Sequence, residues 1–281
     1  MIKNDGILSD NFSGKSPHQQ IVLEIDAFGS VQHYYHFLLG FLAPLVVQIR
    51  KDRLDGLHSQ FWVRSCGPMD KHLADLNYSN LHVLDSNDIE NMTDTPYIFR
   101  KVTGFDHWDH YDKLIFNQVN AIVKSRLKKD LDQLAKINQP EVILINRAPA
   151  DIFYSSELSE KKTSGLQRRS IPNFSELELA ILKVYPQTYT LILENLTLAE
   201  QIIKFSGAKI IIAQHGAALA NLIFANPGTK VVEIIPKNKL HLSKYFSELA
   251  NVLEMDHKFS IQESNHSLVD VRGIIDTLAL F

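Results

Sequence analysis

Residues Lys209 to Ala225 read KIIIAQHGAALANLIFA, an order suited to binding an anion. Ile210, Ile211 and Ile212 form an apolar run of strand length. The turn Gln214-His215-Gly216 follows at once, and a helix of small residues begins at Ala217. A strand that passes directly into a helix turns backbone N–H groups toward the space before the helix, a position that attracts phosphate. Gly216 and Ala217 let a ligand come close to the backbone. His215 stands beside them as a further donor.

Other polar residues fall at the ends of predicted strands. Arg147 follows EVILIN, Glu194 follows LIL, and Glu233 lies within VVEII. Strands that deliver polar groups to one edge make a pocket. Most of these residues have an ordinary alternative: Arg147 as a surface arginine, His215 as a structural histidine, and Arg168 and Arg169 as solvated members of the loop KKTSGLQRRSIPN. Glu233 is harder to explain in that way. A carboxylate among Val231, Val232, Ile234 and Ile235 is costly to bury unpaired, so it must reach the strand end, a partner or a ligand hydroxyl.

The elements that must position these groups alternate. In the second half, strands are expected over 141–146, 189–193, 209–213 and 230–235, and helices over 175–184, 197–205 and 216–225. Ser175 with Glu178, and Thr197 with Glu200, read as capping boxes. Such alternation predicts an α/β fold with a doubly wound parallel sheet, which binds ligands beyond the carboxyl ends of its strands. In the first half, strands are expected over 20–25, 60–64, 80–84 and 97–102, with short helices or turns over 69–76 and 86–90. An apolar helix containing Pro44 is expected over 37–49, and an amphipathic helix over 111–137. The halves divide near Asn138-Gln139-Pro140. The expected domains are 1–138 and 139–260, with 261–281 as a terminal helix packing back on the first domain.

Composition narrows the class. The 281 residues are 45% apolar and 22% charged, which is ordinary for a globular protein. A net charge of −3 gives no reason to expect nucleic acid as a partner. A single cysteine, Cys66, forms no internal disulfide and fits a reducing compartment. The N-terminus lacks the pattern of a signal peptide, and the apolar stretch over 37–49 is too short to span a bilayer. Neither half carries G-x-G-x-x-G after its first strand, which argues against a dinucleotide oxidoreductase, and G-x-S-x-G is absent.

An arginine after a strand, a second arginine before Ile-x-Asn, then LAEQI, IIIAQHGAALANLIF and PGTKVVEIIP together resemble family 61 glycosyltransferases. That family includes protein O-linked N-acetylglucosaminyltransferases, plant xylan-decorating transferases and many bacterial members. The resemblance covers roughly residues 141–236, with a weaker echo in HYYHFLLGFLAPL. It implies a GT-B architecture, with two Rossmann-like domains facing a cleft, and inverting transfer from a nucleotide-sugar held by the C-terminal domain. The short chain, lacking a signal-anchor, favours a bacterial, cytoplasmic enzyme of capsule, lipopolysaccharide or exopolysaccharide synthesis. The expected donor is UDP-linked, and the expected acceptor a glycan or lipid-linked glycan, with peripheral membrane association left open. No metal or other cofactor is expected.

With that resemblance, Arg147, Arg168 and Arg169 become partners of the donor diphosphate, completed by His215, Gly216 and Ala217. Ser170 and Asn173 would support their loop, Glu233 would accept from the ribose hydroxyls, and Glu194 to Leu198 would line the base. Inverting transfer also needs a general base, which a GT-B layout draws from the first domain. The candidates are His36, His33 and Asp26, with His36 first; its alternative is simple packing beside Tyr34 and Tyr35. The cluster GFDHWDHYD has metal-like spacing, but is read as an acceptor-lining loop, with Trp108 as a sugar-stacking platform beside His107. The rival readings are a nucleotide-sugar epimerase or phosphate-ester hydrolase on similar architecture, and a non-catalytic glycan- or nucleotide-binding protein.

Overall fold

The computed structural model describes residues 19–85, 88, 92, 97–137 and 139–281. Two separate parallel sheets organise it. The first contains β1 (Gln20–Asp26), β2 (Gln60–Arg64), β3 (Leu81–Leu84) and β4 (Tyr97–Thr103) in the order β3-β2-β1-β4. The second contains β5 (Val142–Asn146), β6 (Thr188–Ile192), β7 (Ile210–Gln214), β8 (Lys230–Pro236) and β9 (Asp256–Gln262) in the order β6-β5-β7-β8-β9. In each sheet the chain builds outward on one side and then crosses to the other. The reversal falls between β1 and β4 in the first sheet, and between β5 and β7 in the second. Such switch points open a crevice at the carboxyl edge.

β9 is absent from the sequence-based expectation, and a boundary at 260 would cut through it. Its DHKFSIQ pattern is half polar because it is an edge strand. The terminal helix (Val271–Ala279) packs against β8, β9 and the helix Phe174–Val184. Its Ile274 and Leu278 join Leu144, Ile212 and Val232 in one apolar cluster. The expected return to the first domain is therefore corrected: the helix covers the sheet beside it.

Three helical expectations also change. The 111–137 helix is two helices, Lys113–Arg126 and Lys128–Leu134, with Asp112 accepting from the N–H groups of Leu114 and Ile115 at 2.7 and 3.0 Å. Ser175 lies inside its helix rather than capping it, and Glu178 accepts from Thr190 Oγ1 on β6. The residues after Gly216 form a 3₁₀ run, Ala217–Phe224, rather than an α-helix. The Thr197–Glu200 capping box is present. The segment over 86–90, apart from residue 88, and Asn138 at the expected boundary lie outside the described residues.

The helix after β1 begins as a π-helix, His36–Leu42, and continues as Ala43–Leu54. Gly40 sits inside the widened part, where a Cβ would lie 2.6 Å from the carboxyl carbon of Asp106. Among the described residues no helix is long and apolar enough to cross a membrane.

One apolar core joins the two sheets. Phe37, Phe41 and Phe116 of the first half share a cluster with Phe205, Phe224 and Phe246 of the second. Phe224 is fully buried. We expect Phe224→Ala to cost about 3–5 kcal/mol and to lower the melt reported by Trp62 and Trp108, both in the first half, as much as the melt seen by circular dichroism. A tryptophan-reported melt that stays in place would mean that the halves unfold separately.

Candidate active site

Two cavities open where the carboxyl edges of the sheets meet. The larger, about 390 Å³, lies under the ends of β5 and β6 and reaches Tyr34 and His72 of the first half. The smaller, about 220 Å³, lies between His36 and His215. They share a wall made of His33, Arg168, Arg169 and Ala217.

The cations come from the second half. Arg147 leaves the end of β5 and crosses the switch point to β7. There its Nε donates to Gln214 Oε1 (3.0 Å) and its Nη2 to the carbonyl of His215 (2.7 Å). Gly216 makes this crossing feasible, because a Cβ there would overlap the guanidinium. Arg169 is 7% exposed, and its buried Nε has no partner among the described residues. Its loop is held in place because the carbonyl of Ser170 accepts from Gln214 Nε2 and Gln262 Nε2 at 3.1 and 3.0 Å. Among the described residues neither Arg147 nor Arg169 has a carboxylate within ion-pair distance. Burial pushes Arg147 down to about 10, partly opposed by Glu194, and pushes Arg169 down to about 9, reinforced by Arg147 and Arg168. Both stay charged at neutral pH, so the wall between the cavities is a cationic surface short of anions.

The first half supplies imidazoles. His36 Nδ1 lies 2.5 Å from Asp106 Oδ2, and Asp106 is fully buried. The Phe28 N–H donates to both Asp106 oxygens at 3.1 Å. A carboxylate only accepts, so the network assigns a hydrogen to His36 Nδ1, and Nε2 is the nitrogen that carries the lone pair in the neutral ring. The ring is 28% exposed and lines the smaller cavity. His33 lies on the shared wall, where its Nδ1 accepts from Arg168 Nη1 at 3.2 Å and its buried Nε2 is unpartnered among the described residues. Burial and then Arg168 push His33 down to about 4, so it is neutral.

Across the cavity, His215 Nδ1 lies 2.5 Å from Glu233 Oε1, and His257 Nε2 lies 2.8 Å from Glu233 Oε2. Both oxygens of Glu233 thus have protein partners, and the side chain is fully buried outside either cavity. The expected ribose contact is corrected: Glu233 reaches the site only through His215. Hydrogen bonds from the two histidines, outweighing burial, hold its carboxyl below the usual range.

Other expected site residues lie elsewhere. Asp26 points to the opposite face of β1 from Ile25 and lines a separate cavity with Arg64 and Lys101. Trp108 lies outside both cavities and carries Lys244 Nζ over its ring at 4.4 Å, while His107 packs against Phe28 and Tyr245. Asn173 is structural, exchanging hydrogen bonds with the backbone of Val269. Leu198 is buried, with its N–H donating to Asp75 at 3.0 Å. Leu193, Glu194 and Asn195 do line the larger cavity, as do Arg147, Arg168, Arg169 and Ala217, while His215 and Gly216 line the smaller. Sequence reading missed Asp106 as the partner of His36, and it missed His257 and Gln262. Of these, only Asp106 carried a signal, as one of three aspartates in the aromatic-rich stretch GFDHWDHYD. Among the described residues no group of three or more His, Cys, Asp or Glu side chains is arranged to hold a metal ion.

A mixed α/β chain with two parallel sheets meeting over such a site is of the Rossmann-like glycosyltransferase kind. The model of the family described as Glycosyltransferase 61 matches residues 34–232, and the chain belongs to that family. It is accordingly a transferase that takes a sugar from a donor and passes it to a glycan acceptor. The match takes in His36, Asp106 and the three arginines, and ends one residue before Glu233. No curated protein matches the chain.

His33 and His72 line the larger cavity, and burial pushes both from 6.5 down to about 4. The unfolded chain therefore binds more protons between these values, and stability falls as pH drops from about 6.5 toward 4. We expect His72→Gln to show a shallower fall in melting temperature between pH 7 and 5 than the native protein. Equal slopes would contradict the burial of a neutral His72.

Proposed function

We propose that this protein is an inverting, metal-independent glycosyltransferase of GT-B layout. The nucleoside of its donor sits in the larger cavity and the reacting sugar in the smaller. The observation that carries this reading is the shared wall, where Arg168, Arg169 and the unpartnered Nε2 of His33 separate the two spaces. A diphosphate is the group that joins a nucleoside to a sugar, and its roughly two negative charges suit a buried Arg169 and an exposed Arg168 that have no carboxylate within ion-pair distance among the described residues. The larger cavity is of ligand-pocket size, and the UDP-sugar donor is taken from the family resemblance.

His36 is the proposed general base. Asp106 fixes its ring and stabilises the imidazolium formed when Nε2 takes the proton of the acceptor hydroxyl. That hydroxyl attacks the anomeric carbon from the face opposite the diphosphate. The bond to the diphosphate oxygen breaks, and the arginines hold the charge that develops there. Arginine fills the role that a divalent cation would otherwise take. A glycan or lipid-linked glycan acceptor, with a role in capsule, lipopolysaccharide or exopolysaccharide synthesis on the inner face of a bacterial membrane, is consistent with the family resemblance.

A thermal-shift screen against UDP, GDP and CMP should give a rise in melting temperature with UDP, because a ligand that binds only the folded state stabilises it. Arg169→Ala should abolish that rise while staying folded; a folded variant with an unchanged shift would remove Arg169 from the donor site. His36→Ala and Asp106→Asn should lower kcat by about 10²–10⁴-fold with little change in UDP affinity. Normal turnover in folded His36→Ala would exclude it as the base. Activity should persist in EDTA, and a loss reversed by Mn²⁺ would overturn the metal-free mechanism.

A further inference from the structure

The smaller cavity carries a second imidazole held by a carboxylate, and the proton acceptor role leaves it unused. His215, Glu233 and His257 form a string from the cavity wall to the edge strand β9, with side-chain exposures of 6%, 0% and 6%. An ionised Glu233 accepts from both neighbours, so His215 carries its hydrogen on Nδ1, and its Nε2 holds a lone pair with no partner among the described residues. This ring lines the cavity next to Arg168 and Arg169.

A phosphate oxygen cannot donate to a bare nitrogen, so a neutral His215 adds nothing to a bound diphosphate. Burial and the nearby charges of Arg169 and Arg147 keep the ring neutral in the free protein, while the Glu233 carboxylate opposes them. Of the other groups facing it, Lys239 and Arg168 add positive charge, Phe246 packs its ring edge-on, and His33 and His36 stand across the cavity. Two negative charges placed against the arginines reverse the local field.

Resting on the donor reading above, we infer that a diphosphate seating on Arg168 and Arg169 draws one proton from solvent onto Nε2 of His215, with Glu233 and His257 as the positioning residues behind it. The proton comes from water or buffer. Nδ1–H stays on Glu233 Oε1, and no bond between heavy atoms changes. The imidazolium then donates Nε2–H to a phosphate oxygen and helps to hold the leaving diphosphate. The His257 N–H to Oε2 keeps the carboxylate turned toward His215 and ionised.

The test is calorimetric titration with UDP at pH 7.5 in two buffers of different ionisation enthalpy, which reads protons taken up per UDP bound. Proton changes on UDP itself are common to all variants, so native minus His215→Gln isolates the His215 proton. Native protein should take up more protons than His215→Gln, and His257→Ala should fall between them. His257→Gln, whose amide can still donate to Glu233, should return toward native. Should His257→Ala fail to fold, Glu233→Gln serves instead and should lose the extra uptake. Equal uptake in native and His215→Gln, with both binding UDP, would overturn the proton transfer and leave the donor site standing. Native uptake in folded His257→Ala would overturn its positioning role. No UDP binding by native protein would overturn the donor reading and this inference together.

Discussion

Two guanidinium groups, a half-buried Arg147 and a buried Arg169, lie near one another with no carboxylate within ion-pair distance among the described residues, and the site is organised around that imbalance. Charges in such positions are costly unless something compensates them. Part of the compensation is neutral: Gln214 and the His215 carbonyl take up Arg147, and Gln214 with Gln262 fixes the Ser170 carbonyl next to Arg169. Two buried acids nearby are committed elsewhere, Asp106 to His36 and Glu233 to His215 and His257, and Glu194 acts on Arg147 only from beyond ion-pair distance. The remaining charge is available to an anionic ligand.

Holding that arrangement requires two switch points to face each other. Each sheet reverses its winding beside its first strand, β1 or β5, and the second reversal brings Arg147 to a crevice. The shared apolar core, with Phe37 and Phe116 from one half and Phe224 and Phe246 from the other, holds the two crevices together. Polar links reinforce the seam. Tyr34 donates to Asn221 at 2.8 Å, Asn221 donates to Gln201 at 3.1 Å, and Gln201 holds the carbonyls of Leu193 and Leu196 beside the larger cavity.

Much of this was legible in the sequence where local chemistry decides. The apolar runs of β5, β7 and β8, the Thr197–Glu200 cap and the polar residues just after β5 and β7 all follow from neighbours in the chain. What escaped depends on partners far away in sequence. Glu233 inside VVEII was rightly marked as needing a partner, but His257 lies 24 residues on, in a half-polar edge strand with little strand signal. Asp106 reaches His36 across 70 residues, and only because Gly40 and Gly104 leave room for its carboxylate. Asp26 and Trp108 show the converse: each has suitable chemistry, yet side-chain alternation along β1 and the cover of Lys244 turn them to other uses.

A crystal structure of the protein with UDP bound tests the central claim most directly. The account predicts the nucleoside in the larger cavity beside Glu194 and Asn195, and the diphosphate within hydrogen-bonding distance of Arg169 Nε and Arg168. Its terminal phosphate should open toward the smaller cavity, between His36 and His215. A UDP molecule whose phosphates lie away from Arg168 and Arg169, or on the far side of the larger cavity from His36, would contradict it.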